Sequence, residues 1–481
     1  MPGTFSGISS QSSAPLEARG KGAREVATLG GKHAPDVIAA LASLSREQQA
    51  LKFENPSMDP RSNIAPEGQS HYEGRVKHLG AAPYRLVCAG ILVALAPSAS
   101  AQIDPVKREL IQLGYNYHLV GEAPLNAYGF YYFNRPQTLR SNLTLRLAIA
   151  PVYLDGELGV SGIARNTDLG IGFAGGGFAE SYFEFREGEW IKGESFTGHG
   201  GGPTVSLYHL LNPADLIPLS VALRVGPHYN AFERDETAAT FELPDNQWSY
   251  SFRAGLRWGG REPLLSPRLA MEISGWYEAL LRSEPGAYGF QGDRMLNEWV
   301  HNLWGRALLI YTIDDWEHQF EINLSGGHSW NADRFGAFRL GGYLPFAEEF
   351  ALTVPGYFFQ EFSARSYGYF GLSYRVPIDS ANHWQLKAIA SGAWIDDLPG
   401  LEFNEDFIAG VGTGIGYVSP SGSWQAMIAY GYGLQAARPN RFAGHSIGFL
   451  LQFDLERYLH PNAQTPVNPY SSRGLLRLFR H

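Results

Sequence analysis

Gln247-Trp248-Ser249-Tyr250-Ser251-Phe252-Arg253-Ala254-Gly255-Leu256-Arg257-Trp258 alternates without a break. The even positions carry Trp, Tyr, Phe, Ala, Leu and Trp, and the odd positions Gln, Ser, Ser, Arg, Gly and Arg. A period of two is that of a β-strand, whose successive side chains leave on opposite faces. The apolar face opens and closes on Trp, and the span between them matches the roughly 9–11 residues with which a tilted strand crosses a bilayer. Indole rings favour the headgroup layers, so Trp248 and Trp258 are expected to mark the two edges of a membrane.

The same figure returns from His383 to Trp394, where Trp384, Leu386, Ala388, Ala390, Gly392 and Trp394 share a face. Shorter alternations follow at Leu143–Ile149, Leu219–Val225, Leu269–Gly275, Phe320–Leu324 and Trp424–Tyr432. Turn signals separate them: Asn212-Pro213-Ala214-Asp215, Asp314-Asp315 and Ser419-Pro420-Ser421-Gly422. Such segments number about 14–18, within the range of closed membrane barrels. A soluble β-sandwich also alternates, but its second face meets water only at the surface. Here that face carries Arg146, Arg224, Arg253, Arg257, Arg268, Glu272, Arg306, Glu321, Glu361, Arg365 and Arg375, which a wet lumen accommodates. The fold expected is all-β: one transmembrane, antiparallel, up-and-down β-barrel of about 16 strands over residues 102–455. Arg253, Arg257, Arg268, Glu272, Glu321, Glu361, Arg365 and Arg375 are expected to face the lumen.

Composition agrees. Aromatic residues make up 13% of the 481, glycine occurs 56 times, and mean hydropathy is −0.19. Strands apolar on one face alone keep the average low, whereas a helical membrane protein raises it. A net charge of −9 argues against a nucleic-acid partner, whose binders present basic faces.

Leu86 to Ala96 is a short uncharged apolar run behind Lys77, His78 and Arg85, followed by Ala99-Ser100-Ala101. Basic lead, apolar run and A-x-A site read as a signal peptide over 76–101, with Ala99 and Ala101 at the cleavage site. The one cysteine, Cys88, falls inside it. Residues 1–75 are rich in Ser, Pro, Gly and charge and are expected to be disordered or a non-native extension. Export past the inner membrane to the outer membrane of a Gram-negative-type cell follows. A tail, 456–481, bears Arg473, Arg477 and Arg480.

The last strand reads polar-x-Gly-x-x-apolar-x-apolar through Ser446, Gly448, Leu451 and Phe453. It resembles the terminal signal by which barrel-insertion machinery recognises its clients. Upstream come Phe338-Arg339-Leu340-Gly341-Gly342, Pro355-Gly356-Tyr357, Tyr374-Arg375-Val376-Pro377-Ile378 and the glycine-spaced run Gly410 to Gly422. Their order resembles the C-terminal barrel of the bacterial surface antigen family, the BamA and TamA kin among outer-membrane assembly factors. The resemblance covers roughly a quarter of the chain and implies 16 strands. It also implies a long loop whose Arg-Gly-aromatic triplet sends its arginine to an acidic residue on the wall. Here the triplet is Pro355-Gly356-Tyr357, and no acid stands between Ile389 and Gly392, so both halves of that contact are missing at their family positions.

The resemblance implies a membrane-embedded role in protein assembly or secretion. Only a few residues separate Gln102 from the first strand, so POTRA-type domains are expected from another chain, alongside lipid and client protein as partners. The alternative is a passive, porin-like pore or a structural surface protein, its lumen partly filled by Tyr343–Phe359. A lipid hydrolase is the third reading. It would draw on His328-Ser329, His445-Ser446 or His209, but neighbours in a strand face opposite ways and cannot pair. No enzyme activity, cofactor or metal is therefore expected, and the acidic stretch Asp396, Asp397, Glu402, Glu405 and Asp406 reads as a solvated loop.

Overall fold

A computed structural model describes residues 106–460 apart from 151–152, 179, 216, 262–263, 314, 346–348, 402, 404 and 439–440. The signal peptide, its cleavage site at Ala99 and Ala101, residues 1–75 and most of the tail lie outside the described residues. Sixteen strands close an antiparallel barrel. They are β1 (Arg108–His118), β2 (Asn126–Pro136), β3 (Leu143–Ala150), β4 (Tyr153–Ala164), β5 (Thr167–Gly176), β6 (Thr197–Leu210), β7 (Leu219–Glu233) and β8 (Gln247–Gly260). The second half holds β9 (Leu269–Arg282), β10 (Trp299–Ile313), β11 (His318–Trp330), β12 (Phe362–Pro377), β13 (Trp384–Asp397), β14 (Phe407–Val418), β15 (Trp424–Arg438) and β16 (Arg441–Asp454). Each strand pairs with its neighbours in sequence. β1 closes on β16 in continuous register from Leu110 opposite Asp454 to His118 opposite Ser446. Closure removes the open sheet edge that hydrocarbon could not satisfy.

The outer face is the apolar one. Trp248, Tyr250, Phe252, Leu256 and Trp258 are exposed, as are Trp384, Leu386 and Trp394, and Phe320, Ile322 and Leu324 on β11. An apolar belt this continuous is stable only against lipid. No described helix is long and apolar enough to cross a membrane. Connections at the end holding both chain termini are short. The four longest, 177–196, 234–246, 283–298 and 331–361, lie at the distal end.

The terminal strand departs from expectation at its lower end. Leu455, the last residue of the barrel expected over 102–455, opens a short helix, Leu455–Leu459. Asp454 accepts a hydrogen bond from Arg457 N, so a helix cap stops the strand.

Candidate functional site: the filled lumen

The connection 331–361 turns back into the barrel. Phe338–Leu340 first pairs with the distal end of β12. Leu352, Val354 and Tyr357 then pack among Phe362, Tyr367, Tyr369, Ile395 and Ile408 of the inner wall. The tip Pro355-Gly356-Tyr357 lies against β14, β15 and β16. Gly356 has φ +88°, and a Cβ there would stand 1.9 Å from Gly433 N, so only glycine fits. The wall opposite is built of glycine too. A Cβ on Gly410 would meet Pro355 O at 2.2 Å, and one on Gly444 would meet Gly356 O at 2.0 Å. Part of the glycine-spaced run thus makes a groove for the loop, while Gly412 and Gly414 face the neighbouring strand's backbone. Ser446 Oγ accepts from Gly356 N at 3.2 Å, and a Cβ on Gly448 would approach Tyr343. These two residues of the terminal-strand motif form the seat of the loop, while Phe453 is exposed outside.

A charged latch holds the tip, with its polarity reversed from the family's. Arg438, at the distal end of β15, donates to Glu361 Oε1 at 2.7 Å and Oε2 at 2.9 Å. It also donates to Gly356 O at 3.3 Å, and its guanidinium stacks 3.8 Å from the Phe358 ring. Arg438 is fully buried and Glu361 nearly so. The wall supplies the arginine and the loop the acid. This pair stands at other positions than the contact that the resemblance implies. Sequence alternation hides Arg438, because a bulge between Gly433 and Ala437 turns it from the outer face to the lumen.

Further along the loop, Glu349 enters a cluster of guanidinium groups. Arg253 Nη1 reaches Glu349 Oε2 at 3.3 Å, and Arg257 Nη2 reaches Oε1 at 2.5 Å. Arg306 Nη1 donates to Glu349 O at 3.1 Å, while its Nη2 and Nε hold Glu272 at 2.7 and 3.1 Å. Arg253 lies over Trp276 and Trp304, and Arg306 over Phe350. Closer to the terminal end, Lys387 and Arg261 flank Glu321 at 3.3 and 3.8 Å, and Arg375 donates to Gln385 at 2.8 Å. A cavity of about 100 Å³ remains there, lined among others by Arg261, Glu321, Tyr343, Arg375 and Lys387. Below it the turn after β8 folds inward, its Leu265 N bonded to Gln452 Oε1 at 2.9 Å. Leu265 packs with Tyr343, Met427 and Leu450.

The distal mouth is covered. Tyr182, Phe196, Phe241, Tyr288 and Leu296 form a buried aromatic cluster from three long connections, with Phe335 against it. Arg294 contacts Glu184 and Glu194, and Arg334 Nε holds Glu184 at 3.1 Å. Burial, then the neighbouring Glu184, pushes the Tyr182 hydroxyl above its ordinary range, and burial raises Tyr288 further.

Of the residues expected in the lumen, Arg253, Arg257, Glu272, Glu321, Glu361 and Arg375 meet partners inside the barrel. Arg268, one residue before β9, lies at the terminal rim, bonded to Glu317. One is corrected. Arg365 is half exposed and paired with Asp396 on the outer face, because a bulge between Ala364 and Ser366 reverses the alternation. Trp248, Trp258, Trp384 and Trp394 stand exposed on the outer face. Glu349, Trp276 and Trp304 were not singled out from the sequence, since nothing local tells a loop glutamate from a solvated one.

Ser329 and Ser446 are buried on the inner side, away from the adjacent histidines. His328 Nδ1 instead meets Ser366 Oγ at 2.7 Å, and Ser366 Oγ reaches Asp396 at 3.3 Å. The acid thus touches the serine where a hydrolase relay would need it on the histidine. His209 bonds to Thr167, and His445 to Tyr430. Among the described residues no group of three or more His, Cys, Asp or Glu could hold a metal ion. Asp397 accepts from Phe403 N, Asp396 pairs with Arg365, and Glu402 lies outside the described residues.

No protein-family model matches the chain, and no curated protein does. Solved structures match in fold, among them barrels of the Omp85 family. CdiB from Acinetobacter baumannii is 12% identical over 72% of this chain and 60% of its own, with a TM-score of 0.47. BamA from Haemophilus ducreyi, in a structure lacking POTRA domains 1–3, is 10% identical over 72% of this chain and 70% of its own, also at 0.47. Pseudomonas putida OprB is 10% identical over 73% of this chain and 94% of its own, at 0.41. This chain therefore spans less than two thirds of the length of that CdiB. The described residues hold a barrel and its loops and no POTRA domain.

Proposed function

We propose that this chain is a gated translocation barrel of the outer membrane, working in protein secretion or assembly by lifting the loop 331–361 out of its lumen. The observation that carries the reading is the kind of filling. The loop enters between charged groups and is held by a latch of two buried side chains, Arg438 and Glu361. Beside the apolar packing of Leu352, Val354 and Tyr357, the tip thus relies on a buried ion pair, which returns little net stability over a hydrophobic equivalent. Polar fastening suits an element that must leave and come back. The β1–β16 seam, paired almost end to end, supports passage through the lumen over parting of the wall. A passive pore fits poorly with the filled interior. The expected partners are lipid around the aromatic girdles, insertion machinery during biogenesis, and a client with or without a separate periplasmic chain.

Tethering the loop tests this. Ser391 Oγ donates to Thr353 O at 2.8 Å, so the loop and β13 adjoin at those two positions, which are chosen for a cysteine pair. Thr353→Cys with Ser391→Cys is expected to stay shut in planar bilayers when oxidised and to open in steps when reduced. Equal conductance in both redox states would overturn the gate. In cells, the reduced form is expected to restore export of the client in a deletion strain, and the oxidised form to fail.

A further inference from the structure

We propose that Arg253, Arg257 and Arg306 form a binding site for oxyanion groups on what passes through the barrel, and that Glu349 occupies it while the loop is closed. The proposal deepens the translocation reading and rests on it. Three guanidinium groups from β8 and β10 converge on one stretch of inner wall. On the wall, Glu272 is buried, bonded to Arg306 and near Arg257, and Glu278 stands opposite Arg253 in the β8–β9 register without a hydrogen bond to it among the described residues. The two oxygens of Glu272 are further committed, one of them to Ser274 at 2.7 Å. Among the described residues the acceptor for Arg253 is Glu349 alone. The loop carboxylate thus bridges Arg253 and Arg257 from the lumen side.

The wall supplies part of the cradle's shape, and the loop's Phe350 packs on the same rings and on Arg253 and Arg306 while it is seated. Arg253 rests over Trp276 and Trp304 at 5.3 and 5.0 Å, and Arg257 over Trp276 at 4.9 Å. These rings belong to β9 and β10, so both guanidinium planes stay oriented after the loop leaves. Two forks at fixed angles suit the paired oxygens of a carboxylate or a phosphate, which guanidinium groups bind with two parallel bonds. Loop withdrawal takes the Glu349 carboxylate away from the arginines and uncovers this site. An anionic group arriving there competes with Glu349 for the same donors, so entry of the cargo and opening of the gate favour each other.

The test uses the full chain refolded in detergent micelles, its closure checked by heat-modifiable gel mobility. Calorimetric titration with pyrophosphate and, separately, glutarate is expected to show binding to Glu349→Gln at least ten-fold tighter than to the unaltered chain. Arg253→Gln and Arg257→Gln added to that variant are expected to abolish it. Pyrophosphate binding alone would assign phosphate groups, and glutarate binding alone carboxylates. Equal binding to the unaltered chain and Glu349→Gln, or binding that survives loss of both arginines, means an adventitious ion only and overturns the site. A second measurement covers misfolding of that variant. Glu361→Gln breaks the latch and leaves the cradle intact, and its conductance is expected to favour anions over cations. That preference should vanish with Arg253→Gln and Arg257→Gln. A cation-preferring Glu361→Gln pore would overturn the cradle, whereas failure of Glu361→Gln to conduct at all would overturn the gate and leave the micelle titration to decide the site.

Discussion

Replacing Arg438 with methionine is expected to release the loop while leaving the barrel standing. The arginine is fully buried, donates to both oxygens of Glu361, and stacks on Phe358. Methionine keeps much of its volume and loses all of its donors, so Glu361 is left buried without its cation. Removing one partner of such a pair costs about 3–5 kcal/mol. At about 1.4 kcal/mol per factor of ten, the ratio of lifted to seated loop rises between roughly 10²- and a few times 10³-fold. Little of this falls on the barrel, whose sixteen strands are paired independently of the loop tip. Single-channel recording reads the change as open probability, and heat-modifiable mobility reports the barrel. Adding Glu361→Gln should return part of the closure, because no orphan charge then remains. An Arg438→Met protein that stays as closed as the unaltered chain, with its barrel folded, would refute the latch.

Three further outcomes follow from the structure. Phe252→Arg puts a charge on the outer face midway between the two tryptophans and should cost assembly about 2–4 kcal/mol, read by urea unfolding in lipid, while Arg253→Gln on the opposite face should cost assembly little. Gly356→Ala should unseat the loop tip and raise open probability, since its Cβ would overlap Gly433 N and its φ of +88° is strained for alanine. Tyr288 has a buried hydroxyl with no hydrogen-bond partner among the described residues, so Tyr288→Phe should leave the distal cap as stable or about 1 kcal/mol more stable, measured by protease resistance of the loops. Burial raises Tyr288 and Tyr182 in the folded cap, so their contribution is whole below the ordinary tyrosine value near 10 and is lost as pH rises above it. Protease sensitivity of the cap should therefore grow as pH rises above that value.

The sequence by itself determined the barrel. Alternation in strands such as Gln247–Trp258 assigns an apolar and a polar face from local chemistry, because the side-chain period of a strand is two whatever its neighbours are. The bracketing tryptophans added the length of the membrane crossing. Tertiary structure decided where that counting fails and what the polar face does. A bulge adds one residue to a strand, and everything beyond it changes sides. It sends Arg365 outside to Asp396 and brings Arg438 inside to Glu361, yet neither bulge leaves a mark in residue type. Glu349 and its three arginines come from elements far apart in the chain, and only closure of the cylinder sets them within hydrogen-bond reach. Their juxtaposition is a property of the closed sheet and the inward-turned loop, which local pattern does not encode.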